Sequence, residues 1–519
     1  MTDAAWRPRA NPWAIALVVT LAAFMEILDT TIVNVSLPHI AGSMGASNDE
    51  STWTLTSYLV ANGIVLPISA WLGSVFGRKR YFLTCIACFT LFSFLCGVAT
   101  NLPELIVFRL MQGFFGGGLQ PNQQAILLDT FPASQRGRAM SVVAIATVIA
   151  PVLGPTLGGV ITDQASWRWI FLINIPFGVL CFLGVAALVD DPPWAMRTPR
   201  PVDGIGLGLI ALGVACLQVM LDRGEDADWF ASPVICAFAA VAVIGLLSAT
   251  AWLLWTRHPV VDLRVLKDRN FAVGCVMISA TMAVLYAPAV LLPLLTQTVF
   301  GYTSTLAGYI LSPGAMVVLL FIPLVGRLMP VVQTRILVFV GFVALGVAML
   351  WSCRLTPTLD FASLAEIRMA QGVGLAFLFV PISTISYITL PPTRRGDAVA
   401  LQVMFRNLAG SIGIAIAAAL VTTRSQVHMA YLTTHLTPLD QPYLDLLHRN
   451  VQALIGMGHS LHDATAAAMG QILRTLHVQA SVLAYSDVFL MCGILAFAAA
   501  PFALLFSAAK GSGRPGGGH

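Results

Sequence analysis

Two acids stand three residues apart inside the first apolar run of the chain. They are Glu26 and Asp29, in the phrase Glu26-Ile-Leu-Asp29-Thr-Thr-Ile-Val-Asn34, within an apolar stretch of roughly 13–37. A carboxylate at membrane depth is expensive, and its retention points to function. Its cheapest escape is to bind a proton. A carboxyl that loads and releases a proton inside a lipid-bounded helix is the working part of a proton-coupled transporter. At this spacing the two acids share one helix face, and two acids so placed resist ionising together. A second reading stands beside the first: either acid pairs with a buried arginine and does nothing more.

A cation is available for that pairing. Arg109 opens the phrase Arg109-Leu-Met-Gln112-Gly113-Phe-Phe-Gly116-Gly117-Gly118 inside a later apolar run. A buried guanidinium stays charged, so it needs a counter-charge or acts on one. The glycines after it let another helix approach closely. Arg109 therefore either tunes a nearby acid or serves as static glue between helices.

Two further phrases concern shape. Pro151, Gly154, Pro155, Gly158 and Gly159 fall in one apolar run. Gly154 and Gly158 make a small-residue face, and the prolines remove backbone donors and bend a helix. This reads as a packing and hinge element without chemistry of its own. Gly77, Arg78 and Lys79 lie in a short loop. There the glycine permits a tight turn, and the cations either fix orientation or latch a gate. Asn34, Gln120 and Tyr286 are candidates to line a central cavity or to bond a neighbouring helix. Arg406 and Asp487 read as members of ion pairs whose partners the sequence does not identify.

The elements that carry these residues are membrane helices. Of 519 residues, 57% are hydrophobic and only 10% charged, against about 25% charged in a soluble domain. About fourteen apolar runs of bilayer length are predicted, near 13–37, 52–72, 81–100, 104–128, 139–161, 169–189, 205–221, 233–255, 271–292, 304–328, 336–351, 361–390, 398–421 and 482–508. With fourteen spans, 19 of the 28 Lys and Arg residues fall on one side, six on the other and three within spans. The positive-inside rule then puts both termini in the cytoplasm. The first run is too long for a cleaved signal and lacks a small-residue cleavage site. The net charge of +4 is spread out, which argues against nucleic acid. No nucleotide motif appears, so no ATP drive and no cofactor are expected. The nine cysteines read as small core residues. The Cys85/Cys88 pair lacks a second ligand pair, and no metal site is expected.

The chain also repeats itself. Arg109, Gln112 and Gly113 recur as Arg368, Gln371 and Gly372, an offset of 259 that also maps Pro132 onto Pro391, Arg136 onto Arg395 and Gly154 onto Gly413. Such a repeat implies two six-helix bundles of parallel topology, here 1–201 and 258–519, with a two-helix hairpin, 202–257, inserted between them. A segment of about 422–481 is too long for a turn and holds six of the nine histidines. Its apolar spacing from Tyr443 to Ile455 predicts an amphipathic helix on the outer face.

Taken together, these motifs resemble the major facilitator superfamily. More narrowly, the chain resembles the fourteen-helix drug:proton antiporters of the EmrB/QacA type, on the EmrB side because of the long outer segment. The resemblance rests on Leu28 to Pro38, on Arg109 to Gly113, on the proline-glycine phrase from Pro151 to Gly159, and on Trp167-Arg168-Trp169-Ile-Phe-Leu-Ile-Asn174-Ile-Pro176. It implies an all-α major facilitator fold and a non-enzymatic, proton-coupled exporter of amphipathic organic compounds in the bacterial inner membrane. Asp29, Glu26 and Arg109 would carry the coupling. The resemblance also implies a periplasmic adaptor (membrane fusion) protein and an outer-membrane channel as partners. A dedicated exporter of one metabolite (siderophore, antibiotic or fatty acid) and a non-transporting receptor or scaffold are the alternatives. One departure matters: Ser74 stands where the family's loop motif has an acid, so the usual gate ion pair cannot form there.

Overall fold

The structure, a computed structural model, describes residues 8–132, 135–192, 203–356, 359–434, 436–437 and 439–507. The boundary at 201/202, His435, and the cations Arg7, Arg197, Arg200, Lys510 and Arg514 lie outside them.

The first half runs α1 (Pro12–Met44), α2 (Asn48–Phe76), α3 (Arg78–Val98), α4 (Leu102–Gly116), α5 (Leu119–Thr130), α6 (Arg136–Gln164), α7 (Trp169–Leu172) and α8 (Asn174–Leu188). A hairpin follows, α9 (Gly204–Arg223) and α10 (Pro233–Trp255). The remainder is α11 (Arg269–Thr298), α12 (Ser304–Leu328), α13 (Thr334–Ser352), α14 (Phe361–Ser386), α15 (Arg395–Thr433), α16 (Gln441–Gly456) and α17 (Leu461–Ala499). Some helix starts carry side-chain caps. Asn11 accepts the Trp13 N–H at 2.9 Å, and Ser47 and Glu50 form a reciprocal capping box.

Among the described residues, twelve helices are long and apolar enough to cross a membrane, and α6, bent by 42° near its prolines, makes a thirteenth. The α4–α5 pair makes up the predicted fourth span. It is not one continuous helix, because the run 104–128 breaks at Gly117 and Gly118. The count is thus consistent with fourteen. The run 169–189 is likewise divided, into α7 and α8 at Ile173. Two spans outgrow their predicted bounds: α15 and α17 are each 39 residues, or about 58 Å at 1.5 Å per residue, well beyond a hydrocarbon core of ~30 Å. Their overhangs, with α16, make a protrusion with a small core of Val451, Leu454, Ala464 and Ala468. The helix predicted from Tyr443 to Ile455 is α16.

Two large apolar cores exist. One is built mainly from α1, α2, α3, α5 and α15, and the other mainly from α11, α12, α13, α14 and α17. Small residues set the spacing in each. Gly154 of α6 lies against Thr31 of α1, and a Cβ on Gly158, one turn further on, would sit 2.7 Å from the Ile32 carbonyl oxygen. A Cβ on Gly413 of α15 would sit 2.7 Å from Ala283 Cα of α11. Gly113 of α4 lies against the Tyr58 backbone of α2, and Gly372 of α14 against Gly314 of α12. Residues 259 apart therefore make equivalent helix contacts.

Candidate functional site

The close approach of α6 to α1 presses the acid-bearing helix into the bundle. Gly154 lies against Thr31, and Ser36 and Thr162 hydroxyls meet at 2.7 Å. Glu26 and Asp29 consequently face inward and are almost fully buried. They do not share one partner set.

Asp29 belongs to a closed nest. Arg109 Nη1 donates to its Oδ2 at 2.6 Å, and Gln112 and Asn174 amides donate to its Oδ1 at 3.0 and 2.8 Å. Arg109 Nη1 also reaches Gln112 Oε1 at 2.8 Å, and its Nε donates to the Thr54 carbonyl at 3.2 Å. The guanidinium lies 4.2 Å from the Tyr58 ring centroid, a cation–π contact. Arg109 and Asp29 are both fully inaccessible. The pairing of an acid with a buried arginine is therefore present at Asp29, and a proton reaching Oδ2 has to displace Arg109.

Among the described residues, no cation lies in direct contact with Glu26. Asn62 donates to its Oε1 at 2.9 Å and the Tyr58 hydroxyl at 3.4 Å, while the Gln120 amide donates to Oε2. The Gln120 carbonyl in turn accepts from Arg406 Nη2, on α15. One amide thus spans from the first-helix acid to a buried arginine 286 residues further along the chain. Gln120, a candidate to line a cavity or to bond a neighbouring helix, makes this link and also lines a small cavity with Thr20, Gln123 and Arg406. A narrow polar cavity beside it is lined by Gln124, Thr147, Gln402 and Arg406.

Tyr286 and Pro151 line another cavity, between α6, α11, α12 and α14, together with Arg368. Asn34 is exposed and belongs to neither acid's contacts.

At the far end of the bundle, Gly77 takes φ 86°, the left-handed region that favours glycine, and separates α2 from α3. The Lys79 N–H donates to Asp191 at 2.9 Å and its ammonium to the Ala186 carbonyl at 2.8 Å. Burial pushes the Asp191 carboxyl up, although the Lys79 N–H and the cations Arg78, Lys79 and Arg80 oppose it. Arg78 pairs with Asp129, which also lies 3.9 Å from Arg395 of the second repeat. The Ser74 hydroxyl donates within its own helix, to the Trp71 carbonyl at 2.8 Å. The acid missing at Ser74 is thus supplied from α5.

In the protrusion, Asp487 accepts from Arg424 at 2.6 Å and lies 2.8 Å from His428, which fixes the α15 overhang on α17. Asp487 and Arg406, left without partners by the sequence, now have them. Sequence reasoning did not single out Asn62, Tyr58 or Asp129. Their signal was a polar residue on an apolar face of the second or fourth span, at a helical spacing that permits contact with α1 or Arg78.

The chain matches the Major Facilitator Superfamily over residues 19–414. It is 39% identical over 425 residues to "Multidrug export protein EmrB" of Haemophilus influenzae, covering 82% of this chain and 83% of that one. It is 36% identical over 506 residues to "Fatty acid resistance protein FarB" of Neisseria gonorrhoeae, covering 97% of each. Among solved structures, a crystal structure of XylE carrying two tryptophan substitutions superposes with a TM-score of 0.62 over 96% of both chains at 14% identity, a likeness of fold.

Proposed function

We propose that this chain, which belongs to the major facilitator superfamily and is a multidrug efflux transporter of the EmrB type, drives export with protons carried by Glu26 and Asp29. Two bundles, 1–201 and 258–519, rock about a central cavity and expose it alternately to the two sides, with 202–257 as an accessory hairpin. Arg109 tunes Asp29 through the ion pair. The electrical part of the gradient supplies about 2.3 kcal/mol per elementary charge per 100 mV.

The observation that carries this reading is the Glu26–Gln120–Arg406 connection. In the present orientation the amide offers its NH2 to a carboxylate and its carbonyl to a guanidinium. A proton placed on Glu26 Oε2 needs an acceptor instead, so the amide turns and presents NH2 to Arg406. Loading Glu26 therefore loosens a contact between the two repeats. Proton occupancy and the fit of the bundles become one variable.

Substrate-driven proton release from proteoliposomes tests the coupling. The signal should vanish in Asp29→Asn and fall in Glu26→Gln. Full gradient-driven efflux with both acids neutralised would remove the reading.

The excess of cations on one side supports cytoplasmic termini, and the likeness to EmrB supports the inner membrane of a bacterium. The protrusion then faces the periplasm, where it docks an adaptor protein leading to an outer-membrane channel. Deleting 425–478 should abolish adaptor pull-down while the membrane helices stay folded, and unchanged pull-down removes the adaptor. A second reading, export of one compound only, is favoured by the likeness to FarB, whose name refers to fatty acid resistance. A resistance panel separates the two by whether unrelated compounds or a single one are tolerated.

A further inference from the structure

The two repeats keep their arginine and differ in what they give it. Arg109 has Asp29. The residue 259 positions after Asp29 is Pro288, which carries no charge. Arg368 is 6% exposed, and among the described residues no carboxylate lies within ion-pair distance of it. Its Nη1 donates to Gln371 Oε1 at 2.5 Å, a neutral acceptor that is itself tied to the Ser352 hydroxyl at 2.9 Å. Its Nε has no hydrogen-bond partner among the described residues. A buried guanidinium left uncompensated is costly, so its retention here needs a reason.

The arginine faces a cavity. Val148, Leu285, Leu311, Val318 and Leu375 make apolar walls, and Tyr286 adds a phenol. We infer that Arg368 and this cavity form an anion site, in which the guanidinium fork holds the carboxylate of an amphipathic organic anion and the apolar walls take its ring or tail. A planar fork with free N–H groups matches a carboxylate in two-point contact, and an apolar pocket with one polar anchor is the usual form of a small-molecule site. In this conformation the cavity holds about 30 Å³, room for one or two waters. An organic anion therefore enters only when α6 parts from α12 and α14. The site is thus closed in the conformation seen here. The inference rests on the exporter reading for its purpose, since it names the chemical class of one set of substrates.

The test uses two fluorescent probes with the same ring system and opposite charge, 9-anthracenecarboxylate and 9-anthracenemethylammonium. They are titrated into full-length protein in phosphatidylcholine nanodiscs without any gradient. The wild type should bind the carboxylate more tightly, Arg368→Gln should lose about tenfold for the carboxylate and nothing for the ammonium, and Arg368→Lys should keep most of the preference. Equal binding of both probes by the wild type overturns the inference, as does an unchanged preference in Arg368→Gln. A measurement on the wild type guards against a variant that does not fold. Phenylglyoxal modification of Arg368, located by mass spectrometry, should be slowed by the carboxylate probe and not by the ammonium; equal rates overturn the inference. Proton release in proteoliposomes without any anion preference sinks this inference alone. Anion preference without proton release sinks the exporter reading alone.

Discussion

Glu26 and Arg406 never touch, yet both end on the Gln120 amide, one on its NH2 and the other on its carbonyl. A single neutral side chain therefore satisfies an acid and a base carried by different repeats.

Gln120→Leu removes both contacts and leaves two buried charged groups short of partners. We expect a loss of about 1–3 kcal/mol and a marked fall in coupled efflux. Thermal unfolding of the purified variant checks the first and proteoliposome transport the second. A variant as stable and as active as the wild type would mean that the amide is incidental.

Asp29 and Arg109 should behave as one unit. Removing either partner from a buried pair costs about 3–5 kcal/mol. The Asp29→Asn and Arg109→Met variants should each be strongly destabilised, and the double variant should lose much less than the sum. Strict additivity in the double-mutant cycle would deny the pairing.

The α1–α6 contact leaves no room for a methyl group. Gly158→Ala places a Cβ 2.7 Å from the Ile32 oxygen, and overpacking of this kind costs about 1–3 kcal/mol. Gly470→Ala, in α17 with nothing within 4 Å, should instead gain up to about 1 kcal/mol from helix propensity. Melting temperatures that shift in the same direction for both would contradict the packing described.

Asp191 gives a pH signature with a definite sign. Burial raises its folded pKa above the ordinary 3.8, so its contribution to stability is fully present below 3.8 and is lost as pH rises through the folded value. Asp191→Asn still accepts from the Lys79 N–H and does not titrate. The variant's melting temperature, relative to the wild type, should climb between pH 4 and neutrality. A difference independent of pH would refute the shift.

Much of the frame was legible in the chain because lipid imposes simple rules. Apolar length, cation placement and the offset of 259 each depend on residue type alone, and Gly113/Gly372 and Gly154/Gly413 make the equivalent contacts the offset led one to expect. The acids were legible for the same reason: nothing polar sits cheaply at that depth. What the sequence withheld was partnership. The phrase around Asp29 did not say that Asn174, 145 residues away, would donate to it, nor that Gln120 would be a bridge and that Asn34 would be exposed, outside both acids' contacts. Such pairings depend on helix rotation, which a few degrees decide and no local pattern encodes. The break at Gly117 and Gly118 was missed because hydropathy runs on through it.

The two 39-residue helices that leave the bundle carry no proline between the membrane and the protrusion. They are clasped together at Asp487 by Arg424 and His428. Such a pair acts as a stiff lever arm. Whatever inclination the transport cycle gives the spans is relayed to α16 without a slack joint, so a body seated on that tip would feel each turnover as a mechanical stroke.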